Sequence, residues 1–162
     1  MVWEIWVAGV AQPQGSARAF KFKDHVRITS DNRSLRPWRQ AVTAEAQMKM
    51  AAAGPDEAVT GPVALELSFV FPRLQAHFGA KGLRDSAPTV VAVRPDVDKL
   101  ARAVIDALAA AGLIHNDAQV ALLTASKVYG SKPGCRIRLG HGADFPLHPR
   151  VDVDAQLLGT EV

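Results

Sequence analysis

The sequence predicts a single α+β domain: a small mixed β-sheet with two main helices. Three observations carry this. Two stretches alternate apolar and polar residues, as half-buried strands do. Two others repeat apolar residues at helical spacing and end at glycine. The chain of 162 residues is enough for one core and hardly for two. An apolar fraction of 48% and a charged fraction of 22% argue against disorder over most of the length.

The elements follow in order. Over residues 2–10, Trp3, Ile5 and Val7 fall on one side of a strand and Glu4, Trp6 and Ala8 near the other. Glu4 interrupts this run, which is far short of the roughly 20 apolar residues a membrane span needs. It also lacks a basic leader, so no signal peptide and no membrane partner is expected. From Gln12 to Arg36 the pattern dissolves into Pro, Gly, Ser and Arg, with room for a short hairpin around Lys21 to Ile28. A loop this long inside a small domain is usually functional or mobile.

A helix is expected at about 35–52, with Ser34 as N-cap and Pro37 in the first turn. Trp38, Val42, Ala46 and Met50 share its buried stripe, and Gly54-Pro55 ends it. Of the tryptophans Trp3, Trp6 and Trp38, core positions are favoured over an interface because aromatic rings bury large areas. Gly61-Pro62 opens a strand in which Val63, Leu65, Leu67, Phe69 and Phe71 alternate with smaller residues. Residues 73–87 read as irregular and basic, and Thr89–Val93 as a short β-branched strand. A second helix runs from about Val97 to Ala111 and stops at Gly112. Val120–Tyr129 and Cys135–Leu139 read as a hairpin around Ser131-Lys132-Pro133-Gly134. Residues 1–140 thus form the expected domain, and 141–162 an acidic, loose tail.

The net charge is +3, but it is unevenly spread. Residues 1–140 hold 18 Lys/Arg against 12 Asp/Glu, a net +6, and residues 141–162 hold one Arg against four acids, a net −3. A basic body is compatible with nucleic acid and equally with an ordinary solvated surface. The single cysteine, Cys135, excludes an internal disulfide and a cysteine-built metal site, and points to a cytoplasmic protein. The five histidines are scattered, without metal-ligand spacing, and there is no glycine-rich phosphate loop.

The informative segment is Arg94-Pro95-Asp96-Val97-Asp98-Lys99-Leu100, where a strand ends and a helix begins. Asp96 and Asp98 are two residues apart in an extended turn, so both carboxylates can project to one side. Asp117 follows just after the helix stop. If the chain doubles back, the three carboxylates meet, and such a group repels itself unless a cation neutralises it. Hard oxygen ligands suit Mg²⁺ or Mn²⁺, which can activate water for phosphodiester hydrolysis. The structural alternative is a helix cap at Asp96 and a salt-bridged helix face of Asp98, Arg102 and Asp106 at i,i+4 spacing. Spacing alone does not decide, because Asp152-Val153-Asp154 repeats the pattern in the tail.

The combined pattern goes further. The Arg94–Leu100 segment is followed by Asp106-Ala107-Leu108 and then by Gly112-Leu113-Ile114-His115-Asn116-Asp117-Ala118-Gln119-Val120. It resembles the RusA family of Holliday junction resolvases, with its P-D-x-D-N-L-x-K, D-A-L and G-x-x-x-D-D-x-Q-[IV] pattern. The start, Gly9 to Phe20, and Lys127 before a glycine-containing turn are similar too, so the resemblance spans most of residues 5–139. It implies a Mg²⁺-dependent endonuclease, with Mn²⁺ as a possible substitute, acting on branched DNA as a homodimer. It assigns metal binding and catalysis to Asp96, Asp98 and Asp117, and gives Arg102 the place of a functional lysine beside the scissile phosphate. Lys99 stands where the family pattern has Asn. Asn116 replaces the first acid of the D-D pair, and Arg102 keeps charge but loses any proton-transfer role.

Four-way junctions need two matched cuts, which a twofold dimer supplies. The cations expected on the DNA backbone are Arg18, Lys21, Lys23, Arg27 and Arg33, with Lys99, Lys127 and Lys132 nearer the acids. The implied role lies in DNA recombination, repair or phage DNA processing. Two other classes stay open: a structure-specific DNA-binding protein with a weakened metal site, and a metal enzyme acting on a nucleotide sugar, for which 162 residues leave little room.

Overall fold

A computed structural model describes residues 2–15, 18–22, 25–29, 32–54 and 59–142; for 18–22 and 25–29 it describes strand pairing only. Four strands form the main sheet: β1 (Val2–Ala8), β4 (Val63–Pro72), β7 (Val120–Gly130) and β8 (Gly134–His141). Their order is β1-β8-β4-β7, with β1–β8 and β8–β4 antiparallel and β4–β7 parallel. Two helices, α1 (Leu35–Ala53) and α2 (Val97–Ala111), complete the expected α+β domain. Two small hairpins, β2 (Arg18–Phe22) with β3 (His25–Thr29) and β5 (Phe78–Gly79) with β6 (Gly82–Leu83), stand apart from the sheet. The tail expected at 141–162, beyond Gly142, lies outside the described residues, as does Lys23.

The period-2 pattern places the core. Trp3, Ile5 and Val7 of β1, Val63, Leu65, Leu67, Phe69 and Phe71 of β4, and Cys135, Ile137 and Leu139 of β8 are all buried. They meet Trp38, Val42 and Ala46 of α1 and Leu100, Val104, Ala107 and Leu108 of α2. Thr43 Oγ1 donates to the Ala107 carbonyl at 3.1 Å, tying the helices together. Trp3 and Trp38 are core residues, as expected, whereas Trp6 is 36% exposed on the far face of β1. Its ring lies against Gly134, where a Cβ would not fit.

Three local expectations are corrected. β7 and β8 are not a hairpin, because β4 lies between them. Their three-residue connection crosses over the end of β4, a gap of two strand spacings, about 9.5 Å. Periodicity reveals that two segments are strands, but not which third strand separates them. Thr89–Val93 does not form a continuous strand; it joins β7 only by a bridge at Val90–Val128, flanked by Val91 N–H to Lys127 O and Tyr129 N–H to Thr89 O. Pro88 and Pro95 bracket it, and neither can donate a ladder hydrogen bond. Ser34 holds the N-cap position of α1 without a side-chain cap. Asn32 acts instead, its Oδ1 accepting from Ser34 N–H at 3.1 Å and its carbonyl from Leu35 N–H.

Candidate metal and nucleic-acid site

The turn before α2 is fixed from three sides. The Arg94–Pro95 peptide is cis. Lys127, in the middle of β7, donates its Nζ to the carbonyls of Val93 and Pro95, each at 2.7 Å. Gln14 N–H donates to the Lys99 carbonyl at 3.0 Å, holding the chain after β1 against the first turn of the helix. Between these walls lies an open cleft of about 500 Å³, lined by Val10–Pro13, Phe71, Arg94, Pro95, Asp96 and Lys99.

Asp96 has the extended backbone of an N-cap, yet its carboxylate caps nothing. It pairs instead with Lys99, Nζ to Oδ2 at 2.6 Å, on an exposed surface. The Lys99 hydrogen bond and charge, helped by Arg94 and Lys127, hold the Asp96 carboxyl below the usual carboxylate range against a small opposing desolvation. Asp98 is exposed in the first turn of α2, where a negative charge also suits the helix dipole. Arg102 is exposed one turn further on. Among the described residues it forms no ion pair with Asp98 or Asp106, so the salt-bridged helix face is not made.

Asp117 is elsewhere. It opens a one-turn 3-10 segment, Asp117–Gln119, and is exposed. The Gln119 amide donates to the carbonyls of Val59 (3.0 Å) and Gly61 (2.9 Å), while its oxygen accepts from His115 N–H. Those contacts fix the turn to the segment just before β4, and Val120 pairs with Val63, the first residue of that strand. Asp96 lies beside Phe71, near its last. The span from Val63 to Phe71 is about 26 Å, and the 15 residues of α2 span about 22 Å.

The expected convergence of the two turns therefore does not occur within one chain. Gly112, left-handed at φ 83°, closes α2 and sends the chain directly toward the start of β7, without a return path to the Asp96 end. Among the described residues no three Asp, Glu, His or Cys side chains gather to hold a metal ion. Asp96 and Asp98 share the turn that opens α2; Asp117 lies at the other end of that helix.

The expected cations whose surroundings are described lie toward the Asp96 end. Lys99 and Lys127 are at the Asp96 end, though both are engaged, one by a carboxylate and one by two carbonyls. Lys132 is exposed in the β7–β8 connection, whose Pro133 carbonyl accepts from Gly9 N–H beside the cleft. Arg33 is exposed next to Asn32, whose amide donates to the Pro13 carbonyl at 3.1 Å. Gln14 and Asn32, on either side of the β2–β3 hairpin, thus both belong to this end of the sheet; the hairpin bears Arg18, Lys21 and Arg27, of whose side chains nothing is described. The roles of Lys127 as a strut and of Gln119 as a pin were not read from the sequence. The only signal was their position inside the motif.

Asp96 and Asp98 thus sit in one exposed turn with Lys99 and Lys127 beside it, on one α+β domain. A family model described as endodeoxyribonuclease RusA matches residues 10–140 of the chain. The chain belongs to the RusA endodeoxyribonuclease family, a family of nucleases that resolve Holliday junctions. A search of curated proteins finds no significant match. No helix among the described residues is long and apolar enough to cross a membrane.

Proposed function

We propose that this chain is a Mg²⁺-dependent endodeoxyribonuclease that cuts four-way or related branched DNA as a homodimer, in recombination, repair or phage DNA processing. The observation that carries the reading is the turn that opens α2, where Asp96 lines the cleft and caps nothing, and Asp98 is exposed in the first helical turn. Two carboxylates plus water and a substrate phosphate suit Mg²⁺ or Mn²⁺. When bound, the ion supplies Lewis acidity toward water and the phosphate.

The chain's own groups do the rest. Asp96 and Asp98 would hold the ion. Arg102, one turn along the same helix, would put a permanent positive charge beside the phosphate. Arg33, Lys132 and the cations of the hairpin would track the DNA backbone. Asp117 cannot serve the Asp96 of its own chain. A twofold that sets two copies antiparallel would bring the partner subunit's Asp117 to each Asp96–Asp98 turn. It would also give two equivalent sites for two matched cuts.

Synthetic four-way, flap and linear DNA, digested with and without Mg²⁺, tests the activity. Undiminished cleavage by D96N and D98N would sink the site. Mixing D96N with D117N tests its composition: each alone is inactive, and the mixed dimer regains one intact site, roughly a quarter of the wild-type sites after random exchange. Loss without recovery would place the site within one chain.

The Lys99–Asp96 ion pair favours a second reading, a junction-binding protein without cleavage, since the lysine competes for a metal ligand. That reading expects junction binding in EDTA and no cutting when Mg²⁺ or Mn²⁺ is added.

A further inference from the structure

We infer that the open edge of β7, Val120–Ser126, pairs antiparallel with the same segment of a second copy, centred on Leu123. The inference rests on the homodimer proposed above and names the surface that builds it.

β7 bonds to β4 along its length, but its other edge is used only at Lys127–Tyr129, by the Thr89–Val91 segment. Among the described residues, Val120–Ser126 has no second partner strand. This stretch contains no charge and no proline, the usual protections of an exposed edge. It exposes apolar surface on both faces, with Leu122 40% and Leu123 45% accessible. Such an edge is a template for another strand. Beside it, Ile105 and Ala109 of α2 are only partly buried, on the same helical stripe as Asp98 and Arg102.

The register follows from backbone direction and position. Lys127 C=O and Tyr129 N–H both point away from β4, so by the period of two Leu123 and Ala125 do as well. A twofold perpendicular to the sheet places Leu123 opposite its own copy, exchanging two hydrogen bonds, at the midpoint of the free stretch. Val120 then faces the partner subunit's Ser126. Extending the same pairing brings the partner subunit's Asp117 level with Tyr129, alongside the Thr89–Pro95 segment that leads into Asp96. A shift of the centre by one residue would move this acid by two residues, about 6.6 Å. Charge agrees with the direction, because the Asp117 end of one chain meets the Arg94, Lys99 and Lys127 end of the other.

Single cysteines at Leu122, Leu123 and Thr124, oxidised in the full chain, test the register. A disulfide needs Cα atoms about 4.4–6.8 Å apart, and the native Cys135 is fully buried. Leu123→Cys should give the dominant covalent dimer; a maximum at either neighbour, or none at all in a chain that sediments as a dimer, overturns the register. Leu123→Pro removes an N–H that points away from β4. It should lower the sedimenting mass from twice 17.3 kDa to 17.3 kDa with a cooperative melt retained. A persistent dimer overturns the interface. Should this variant fail to fold, the cysteine scan decides alone. A wild-type chain that is monomeric at micromolar concentration also overturns it. None of these readouts uses cleavage, so failure here leaves the nuclease reading to its own digestion assay.

Discussion

The ammonium of Lys127 lies 2.7 Å from the carbonyl oxygen of Pro95, with Val93 O at the same distance. Lys127, a cation expected on DNA, thus braces the middle of β7 against the turn that presents Asp96. Lys127→Met leaves two carbonyls without their donor. It should cost about 1–3 kcal/mol of stability and let the Asp96 turn shift. A displacement near 1 Å can lower turnover about a hundredfold. Junction affinity without metal should change little, and the salt slope of binding should stay as it is. A direct phosphate contact would instead lower that slope by about one. Urea melts and filter binding at several salt concentrations separate the two roles.

Lys99 holds Asp96 ionised and occupies one of its oxygens. Lys99→Asn should free that oxygen and raise Mn²⁺ affinity about two- to fivefold, the scale of an exposed ion pair, as read by calorimetry. It should also return the Asp96 carboxyl toward its ordinary value, so the acid limb of the activity profile moves to higher pH. The sign for stability follows from the lowered pKa. The contribution of the pair is present above the ordinary carboxylate range and is lost as pH falls through the lowered value. Carbon-detected titration of Asp96 in both proteins checks the direction.

Much of the fold was legible because apolar spacing reports burial directly. Trp3, Ile5 and Val7, the odd positions of β4, and the stripe Trp38–Val42–Ala46 are all core. Gly112 ended α2 where its left-handed backbone was required. Adjacency was not legible. Nothing in β7 or β8 reveals that β4 comes between them, since pairing is a long-range choice. The site divided along the same line. Asp96 and Asp98 share a turn because only one residue separates them in the chain. Asp117 belongs to the same motif, but a rigid helix separates it from them, and sequence proximity to Gly112 concealed that. Lys127 and Lys99 look like free surface cations in a sequence and are engaged in the fold, because a charge count says nothing about nearby carbonyls and carboxylates.

Gln119 sets the position of Asp117 through three hydrogen bonds of one amide. Gln119→Ala should strand the carbonyls of Val59 and Gly61 and cost about 1–3 kcal/mol, measured by urea unfolding. Gln119→Glu should cost a similar amount, because an ionised carboxylate accepts from His115 N–H but cannot donate to the two carbonyls. If Gln119 also positions the acid, both variants should lose turnover at temperatures where they remain fully folded. D117N combined with Gln119→Ala should then fall no further than D117N alone. A purely structural pin would lower the melting point and leave turnover of the folded fraction unchanged.

Glu66 and Arg138 face each other on neighbouring strands, on the side of the sheet away from the helices, with Nη1 to Oε2 at 2.6 Å. Their side chains are only 15% and 9% exposed. Removing one partner leaves the other charge buried and unpaired, so Arg138→Met and Glu66→Leu should each destabilise by about 3–5 kcal/mol. The double variant restores neutrality and keeps apolar bulk at the two facing positions of β8 and β4. It should recover most of that loss, giving a coupling energy of at least about 2 kcal/mol in a double-mutant cycle. Additive losses would mean that each residue acts through packing alone, independently of the other's charge. The pair is far from Asp96 in function even if it shares the sheet, so cleavage by the folded double variant should match the unmodified chain. A drop would instead make this sheet face part of the DNA or partner surface.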